Sequence, residues 1–187
     1  MELKGICKAY GEKQVLQNVD LVLKEGEITA LMGASGRGKT TLLRILMGLE
    51  AADAGDRLGM EHVRISAVFQ EDRLLERLTA EGNLRFVAQR QEQIAEIPKL
   101  LEELGLGSET EAAATFSGGM KRRLAIARAL LADYDLLVLD EPFRGLDEAT
   151  KAQTMEVLRR RSRGKTVLLV THDEEEARTL AKTMIRM

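Results

Sequence analysis

The sequence predicts an α/β fold built on a mostly parallel sheet, and three stretches predict it. A short apolar strand, Ile28–Met32, runs directly into a glycine-rich loop at 33–40 and then into a segment with Leu42, Leu43, Leu46 and Met47 at helical spacing. Two further runs, 136–139 and 166–170, are almost wholly apolar, as strands covered on both faces of a parallel sheet are. Helical segments separate these strands, and that alternation is what gives a layered α/β core.

Taken in order, 6–23 reads as strands around a turn at Gly11, because Val15, Val19, Leu21 and Leu23 largely alternate with polar residues. This gives an N-terminal antiparallel β subdomain. The helix after the glycine loop covers 40–49, and the stretch 55–69 is short and ends in a strand at 64–69. Residues 84–104 read as helices interrupted at Pro98, since proline lacks the amide hydrogen a helix interior uses. Small residues and glycines at 105–115 lead to the turn Phe116-Ser117-Gly118-Gly119-Met120 and a helix over 121–131. A helix at Glu148–Arg161 follows the strand at 136–139, and a last helix at 174–181 follows the strand at 166–170. The sequence has no internal repeat and no low-complexity tail. It reads as one domain over 1–187, with a helical segment, approximately 71–131, inserted in the α/β core.

Composition narrows the function. A chain of 187 residues suffices for one well-packed domain and is too short for two full ones. Its 28 basic and 30 acidic residues nearly cancel, so no general attraction to nucleic acid or anionic membrane is expected. The single cysteine, Cys7, fits a reducing compartment. No apolar run approaches the roughly 18 residues of a membrane-spanning helix, and the first residues have no signal-peptide character. Work at a membrane would need another chain to span it. The basic run Arg159-Arg160-Arg161-Ser162-Arg163 reads as a solvated helix end, where cations suit the macrodipole. His62 has no partner pattern and receives no function.

The loop Gly33-Ala34-Ser35-Gly36-Arg37-Gly38-Lys39-Thr40 matches the phosphate-loop pattern in full. Its glycines let backbone N–H groups turn inward around phosphate oxygens, and the following helix aims its positive end at the same anion. Gly33, Ser35, Gly36 and Gly38 belong to that cradle, Lys39 supplies a point charge for the β- and γ-phosphates, and Thr40 offers a hydroxyl to Mg²⁺, with Thr41 beside it. Downstream, Leu136-Leu137-Val138-Leu139-Asp140-Glu141 delivers two carboxylates to a strand's C-terminal end, where α/β proteins bind ligands. Asp140 then lies where it can hold Mg²⁺, directly or through water, and Glu141 is the candidate to polarise an attacking water. The Ser117-Gly118-Gly119 turn adds a second phosphate-binding surface, and one nucleotide does not need two from the same chain. Two chains meeting head to tail, each offering its turn to the other's nucleotide, account for it.

This set of motifs resembles the ATP-binding cassette (ABC) family, the engines of ABC transporters, over nearly the whole chain. The resemblance implies that Tyr10 stacks on adenine with Val15 packing nearby. It implies that Gln70, after Val68-Phe69, reaches the metal and the water and senses a transmembrane partner. Ser117, Gly118 and Gly119 would complete the opposite subunit's site. Asp147, in Arg144-Gly145-Leu146-Asp147, would lie on a loop crossing the dimer interface, and His172 would contact the γ-phosphate. Catalysis on this reading rests on Glu141, His172, Gln70 and Lys39, and the metal on Thr40, Gln70 and Asp140. ATP and Mg²⁺ are the implied cofactors. The implied partners are transmembrane permease subunits and a second copy of the chain or a paralogous ATPase, without nucleic acid and without direct membrane insertion. The implied location is the cytoplasm, peripheral to the inner face of the cell membrane.

Some positions depart from the family pattern. Met120 replaces the usual glutamine and Phe116 the usual leucine of the signature turn, and Arg144 stands where a small hydroxyl residue is commoner. The segment between Gly48 and Gln70 is shorter than in many relatives, so a trimmed adenine-side β subdomain is expected, and no regulatory module is expected after the last helix. The segment from Val68 to Thr79 looks like importer subunits, particularly those for nitrate, sulfonate and related solutes. A soluble ABC ATPase acting on nucleic acid or ribosomes, and an export or lipoprotein-release ATPase, are the alternatives. The residues themselves leave the transported solute and the direction of transport open.

Overall fold

In the computed structural model, which describes residues 1–34 and 36–187, the chain opens with a hairpin. Strand β1 (Glu2–Tyr10) turns at Gly11, whose φ of 59° is left-handed, and returns as β2 (Lys13–Val22). Then come β3 (Ile28–Met32), α1 (Lys39–Leu46), β4 (Ala54–Leu58) and β5 (Ile65–Val68). Helices α2 (Ala80–Arg85) and α3 (Gln91–Glu103), with a short 3₁₀ turn at Ala113–Thr115, lead to α4 (Gly118–Leu131). The chain closes through β6 (Leu136–Asp140), α5 (Glu148–Arg161), β7 (Thr166–Thr171), α6 (Glu174–Leu180) and β8 (Thr183–Arg186).

Two sheets result. One is three-stranded and antiparallel, in the order β2-β1-β4; the other is five-stranded, in the order β5-β6-β7-β3-β8, with every pairing parallel. The continuous apolar runs are explained by what covers each face of the second sheet. Leu136, Val138, Leu168 and Val170 face a core shared with α1 and the antiparallel strands, through Leu42, Leu43, Leu46, Leu3, Ile6 and Leu21. Their neighbours Leu137, Leu139, Val167 and Leu169 face the opposite way, onto Ile126 of α4 and Met155 and Leu158 of α5. With both faces covered, alternation has no polar side to report. A third core joins α2, α3 and α4 through Leu84, Ile97, Leu100, Leu104 and Leu124. Phe116 is buried in that core and Met120 packs against it, so both departures from the signature pattern serve helix packing.

The structure differs from the sequence reading in several places. The helical break lies at 86–90, between α2 and α3, and Pro98 sits inside α3. Gln93 explains the restart: its side-chain oxygen accepts the N–H groups of Gln89 and Arg90 (both 2.9 Å), while its amide donates to Leu131 O at 2.7 Å. Strand β4 was not expected, because all five of its residues are exposed and carry no apolar alternation. Nor was β8, a four-residue edge strand immediately after a helix. The basic run at the end of α5 is not freely solvated. Arg161 pairs with Glu96 and Glu103 of α3, Arg160 also pairs with Glu103, and Arg159 pairs with Glu156.

Candidate functional site

Because β3, β5, β6 and β7 run parallel, the loops that follow them gather at one edge of the sheet, the position where open α/β sheets bind ligands. The first of these loops leads into α1, whose opening turn (Lys39, Thr40 and Thr41) contains no acid to offset the positive end of the helix dipole. Gly38 caps that helix at φ 87°, and a Cβ on it would meet Leu16 Cδ2 at 2.8 Å, Val15 Cγ1 at 2.9 Å and Val15 O at 3.0 Å. Only glycine lets the loop lie this close to β2 in that conformation. Gly36 also has positive φ, in open space, and Gly33 passes close behind the chain's last residue, Met187. Lys39 Nζ donates to Gly33 O (2.6 Å) and Ala34 O (3.0 Å), which holds the ammonium across the loop. Ser35, expected at the phosphates, lies outside the described residues.

The two acids stand across from the loop. Asp140 ends β6, is 4% exposed, and accepts from Thr40 Oγ1 at 3.4 Å. Burial pushes its carboxyl above the usual range, against the lowering effect of hydrogen bonds from Gln70 and Thr40. Glu141 follows at φ 50°, left-handed for a residue with a side chain, and its N–H is held by Val170 O at 2.9 Å. Its carboxylate bonds His172 Nδ1 at 2.8–2.9 Å, and this contact with its charge holds the imidazole above 6.5. Gln70, beyond β5, reaches the same space. Together Val15, Gly36, Gly38, Lys39, Thr40, Thr41, Gln70, Glu141 and His172 line one open cleft of about 650 Å³.

Other expected residues lie apart from that cleft. Tyr10 ends β1 half-exposed, with its hydroxyl on Glu50 and Lys8 Nζ 5.7 Å from its ring centroid. Ser117 caps α4 by accepting Met120 N–H at 3.3 Å, and it and Gly118 are exposed. Nothing lies within 4 Å of where a Cβ on Gly118 would stand. Asp147 caps α5, accepting Thr150 N–H at 3.0 Å, and this bond holds its carboxyl below the usual range. Within one chain, then, the Ser117 turn and the phosphate loop are separate surfaces.

The structure adds residues that the sequence reading did not place in a site. Lys13 and Arg144 both line the cleft, so its walls are more cationic than the phosphate loop alone would make them. Arg144 was visible as a departure from pattern; Lys13 gave no signal beyond its nearness to Val15. Arg122, itself buried, and Arg128 also hold the loop that carries Gln70, and nothing in their spacing announced them.

The donors fit a hard divalent cation. Thr40 Oγ1 and Asp140 Oδ2 face one another, with the Gln70 amide also on Asp140. Among the described residues no three His, Cys, Asp or Glu side chains converge. A cation here would complete its shell with phosphate oxygens and water, as Mg²⁺ does at nucleotide sites.

Comparison with known proteins agrees with this geometry. Residues 16–144 match the family model described as ABC transporter. The chain is 40% identical over 189 residues to the aliphatic sulfonates import ATP-binding protein SsuB 1 of Paracoccus denitrificans, covering 98% of this chain and 77% of that protein. It is 42% identical over 192 residues to SsuB 3 of Paraburkholderia xenovorans, covering 100% of this chain and 76% of that protein. Among solved structures, the ATP-binding subunit of an ABC transporter superposes with a TM-score of 0.88 at 28% identity, covering 100% of this chain and 85% of that one. A bacterial ABC transporter cassette solved as a dimer superposes with a TM-score of 0.85 at 31% identity, covering 100% and 93%. The same cassette is also known in a post-hydrolysis state bound to ADP and phosphate, again at 0.85 and 31%, covering 100% and 93%.

Proposed function

The chain belongs to the ABC transporter family, and from that premise we propose that it binds and hydrolyses ATP to drive import of an aliphatic sulfonate or related solute. It would act through a separate permease and as a head-to-tail dimer. One observation carries the dimeric reading: the Ser117-Gly118-Gly119 turn, exposed at Ser117 and Gly118, starts a helix and lies outside the phosphate cleft of its own chain. The N-terminus of α4 and the freed N–H groups of that turn suit the γ-phosphate of a nucleotide held elsewhere. A second copy supplies that nucleotide, and the dimeric cassette at TM-score 0.85 supports such pairing.

On this reading each residue has a task. The loop amides and the α1 N-terminus bind the phosphates, and Lys39 neutralises the β- and γ-oxygens. Thr40, Asp140 and Gln70 would hold Mg²⁺, which would supply further neutralisation of phosphate charge. Glu141 accepts a hydrogen bond from the attacking water, a role worth about 10²–10⁴ in rate for a positioned base. His172 orients that carboxylate and reaches the γ-phosphate. Tyr10 and Val15 would meet the base, Asp147 would approach the other chain's phosphate loop, and the partner's Ser117, Gly118 and Gly119 would close the site.

The names of the sulfonate-import relatives support import over export, and on this reading the chain sits at the inner face of the cell membrane, held there by the permease. No helix among the described residues is long and apolar enough to cross a membrane. The arginines of 159–161 are paired within the chain, which weakens a nucleic-acid reading. Two measurements test the proposal. ATPase activity per chain should rise with chain concentration, and the chain should co-purify with a multi-spanning membrane protein and respond to an alkanesulfonate in the assembled complex. Co-sedimentation with ribosomes instead would overturn the transport reading.

A further inference from the structure

Gln70 is exposed and sits in a loop, yet its backbone is not left to the loop's own devices. The loop at 69–73 is gripped by α4. Arg122, only 5% exposed, donates Nη1–H to Phe69 O and Nη2–H to Gln70 O, both at 2.6 Å. Its Nε lies 3.3 Å from Asp72 Oδ1, an ion pair rather than an aligned hydrogen bond. Arg128 of the same helix donates to Arg73 O at 2.8 Å, and the Arg73 guanidinium stacks on Phe69 with 4.0 Å between its carbon and the ring centroid.

A guanidinium is a rigid planar fork that stays charged, so it fixes two acceptors at once and in one orientation. Here the two acceptors are the carbonyls immediately before and at Gln70. The same helix is capped by Ser117. One buried side chain therefore ties the helix of the Ser117 turn to the backbone of a residue lining the phosphate cleft.

We propose that Arg122 is a positioning residue for Gln70: by clamping the Phe69 and Gln70 carbonyls to α4 it sets where the Gln70 amide stands in the cleft, so that any displacement of α4 is carried to Gln70. The inference rests on the proposed ATPase reading and adds to it a residue outside the motifs. Arg122 itself does not line the cleft; it reaches that space only through the Gln70 backbone. Its effect on turnover must pass through Gln70.

A double-mutant cycle separates this from a general packing role. ATPase kcat and KM are measured, with a thermal melt on each protein, for the parental chain, Arg122→Gln, Gln70→Ala and the double variant. Arg122→Gln is expected to lower kcat about tenfold while KM for ATP stays within about twofold, since the phosphate loop is untouched. In the Gln70→Ala background the same substitution should cost less than about twofold more, because residues acting as one unit do not add. Losses that multiply, or a rise in KM matching the fall in kcat, overturn the inference. If Arg122→Gln does not fold, Arg122→Lys keeps a buried cation opposite Asp72 without the fork, and the same criteria apply. If the parental chain binds no ATP, the ATPase reading falls and the inference with it. If the parental chain hydrolyses ATP and Gln70→Ala matches it, the inference alone falls.

Discussion

At the scale of single residues, Glu141 concentrates the argument. It holds left-handed backbone at φ 50°, a conformation that costs a residue with a side chain about 1–3 kcal/mol. The neighbours that impose it are the Val170 carbonyl on its N–H and His172 on its carboxylate. Glu141→Gln should keep ATP binding and lose turnover by about a hundredfold or more, read by calorimetric titration and phosphate release; parental turnover would remove Glu141 from the water-polarising role. The imidazole gives a second, independent reading. The Glu141 contact raises the folded-state value of His172 above 6.5, so its stabilising contribution is fully present below 6.5 and is lost as pH rises through the raised value. Because the His172 side chain is 70% exposed, the stability effect is small and the titration itself is the better observable. NMR of the ring protons should place the midpoint above 6.5 in the parental chain and return it toward 6.5 in Glu141→Gln; a parental midpoint at or below 6.5 contradicts the pairing. Motif residues such as Lys39, Asp140, Glu141 and His172 were legible because their chemistry is tied to local strand and helix ends. Arg122 was not, since its partners at 69–72 are far away in sequence, nor was Lys13, which only the fold brings to the cleft.

At the scale of elements, the approach of the phosphate loop to β2 makes the most exacting demand. Gly38→Ala would drive a methyl onto Val15 and Leu16 at under about 3 Å while keeping φ at 87°, so a loss of about 1–3 kcal/mol in urea unfolding is expected, with ATP affinity reduced about tenfold or more. Parental stability and affinity in that variant would mean the loop adjusts freely. Helix α3 offers the opposite case. Pro98 leaves the Ile94 carbonyl without the amide that would normally reach it, and Pro98→Ala should therefore stabilise the fold, by up to about 3 kcal/mol and visibly as a higher Tm. An unchanged or lower Tm would show that α3 packing already accommodates the ring. The same helix explains a misreading, because proline was expected to mark the break and the break instead falls where Gln93 caps a new start. Buried strands were legible from the runs at 136–139 and 166–170. The edge strands were not: β4 is wholly exposed, and β8 is four residues paired with β3, with Ile185 packed against the core. Edge strands take their identity from the neighbour they pair with, which local pattern does not record.

At the scale of the whole molecule, the fold keeps the glycine loop and the Ser117 turn apart within one chain, and the proposed composite site has a second chain unite them. Charge agrees with a site that takes a polyanion: Lys13, Lys39 and Arg144 line the cleft, and its one lining carboxylate, the largely buried Glu141, is paired with His172. The parallel α/β core was legible from sequence, as was the order of motifs; the motifs also led to the expectation that the Ser117 turn serves another chain, and in the folded chain it lies outside the cleft. The most direct measurement is the light-scattering mass of Glu141→Gln with ATP and Mg²⁺, compared with the same protein carrying Ser117→Arg. Slow hydrolysis should trap the first as a species of twice the 20.8 kDa chain, while the added cation at Ser117 should leave the second monomeric although it still binds ATP. A monomer in both cases, or full ATPase activity from Ser117→Arg alone at a dilution where no dimer is present, would contradict the composite site.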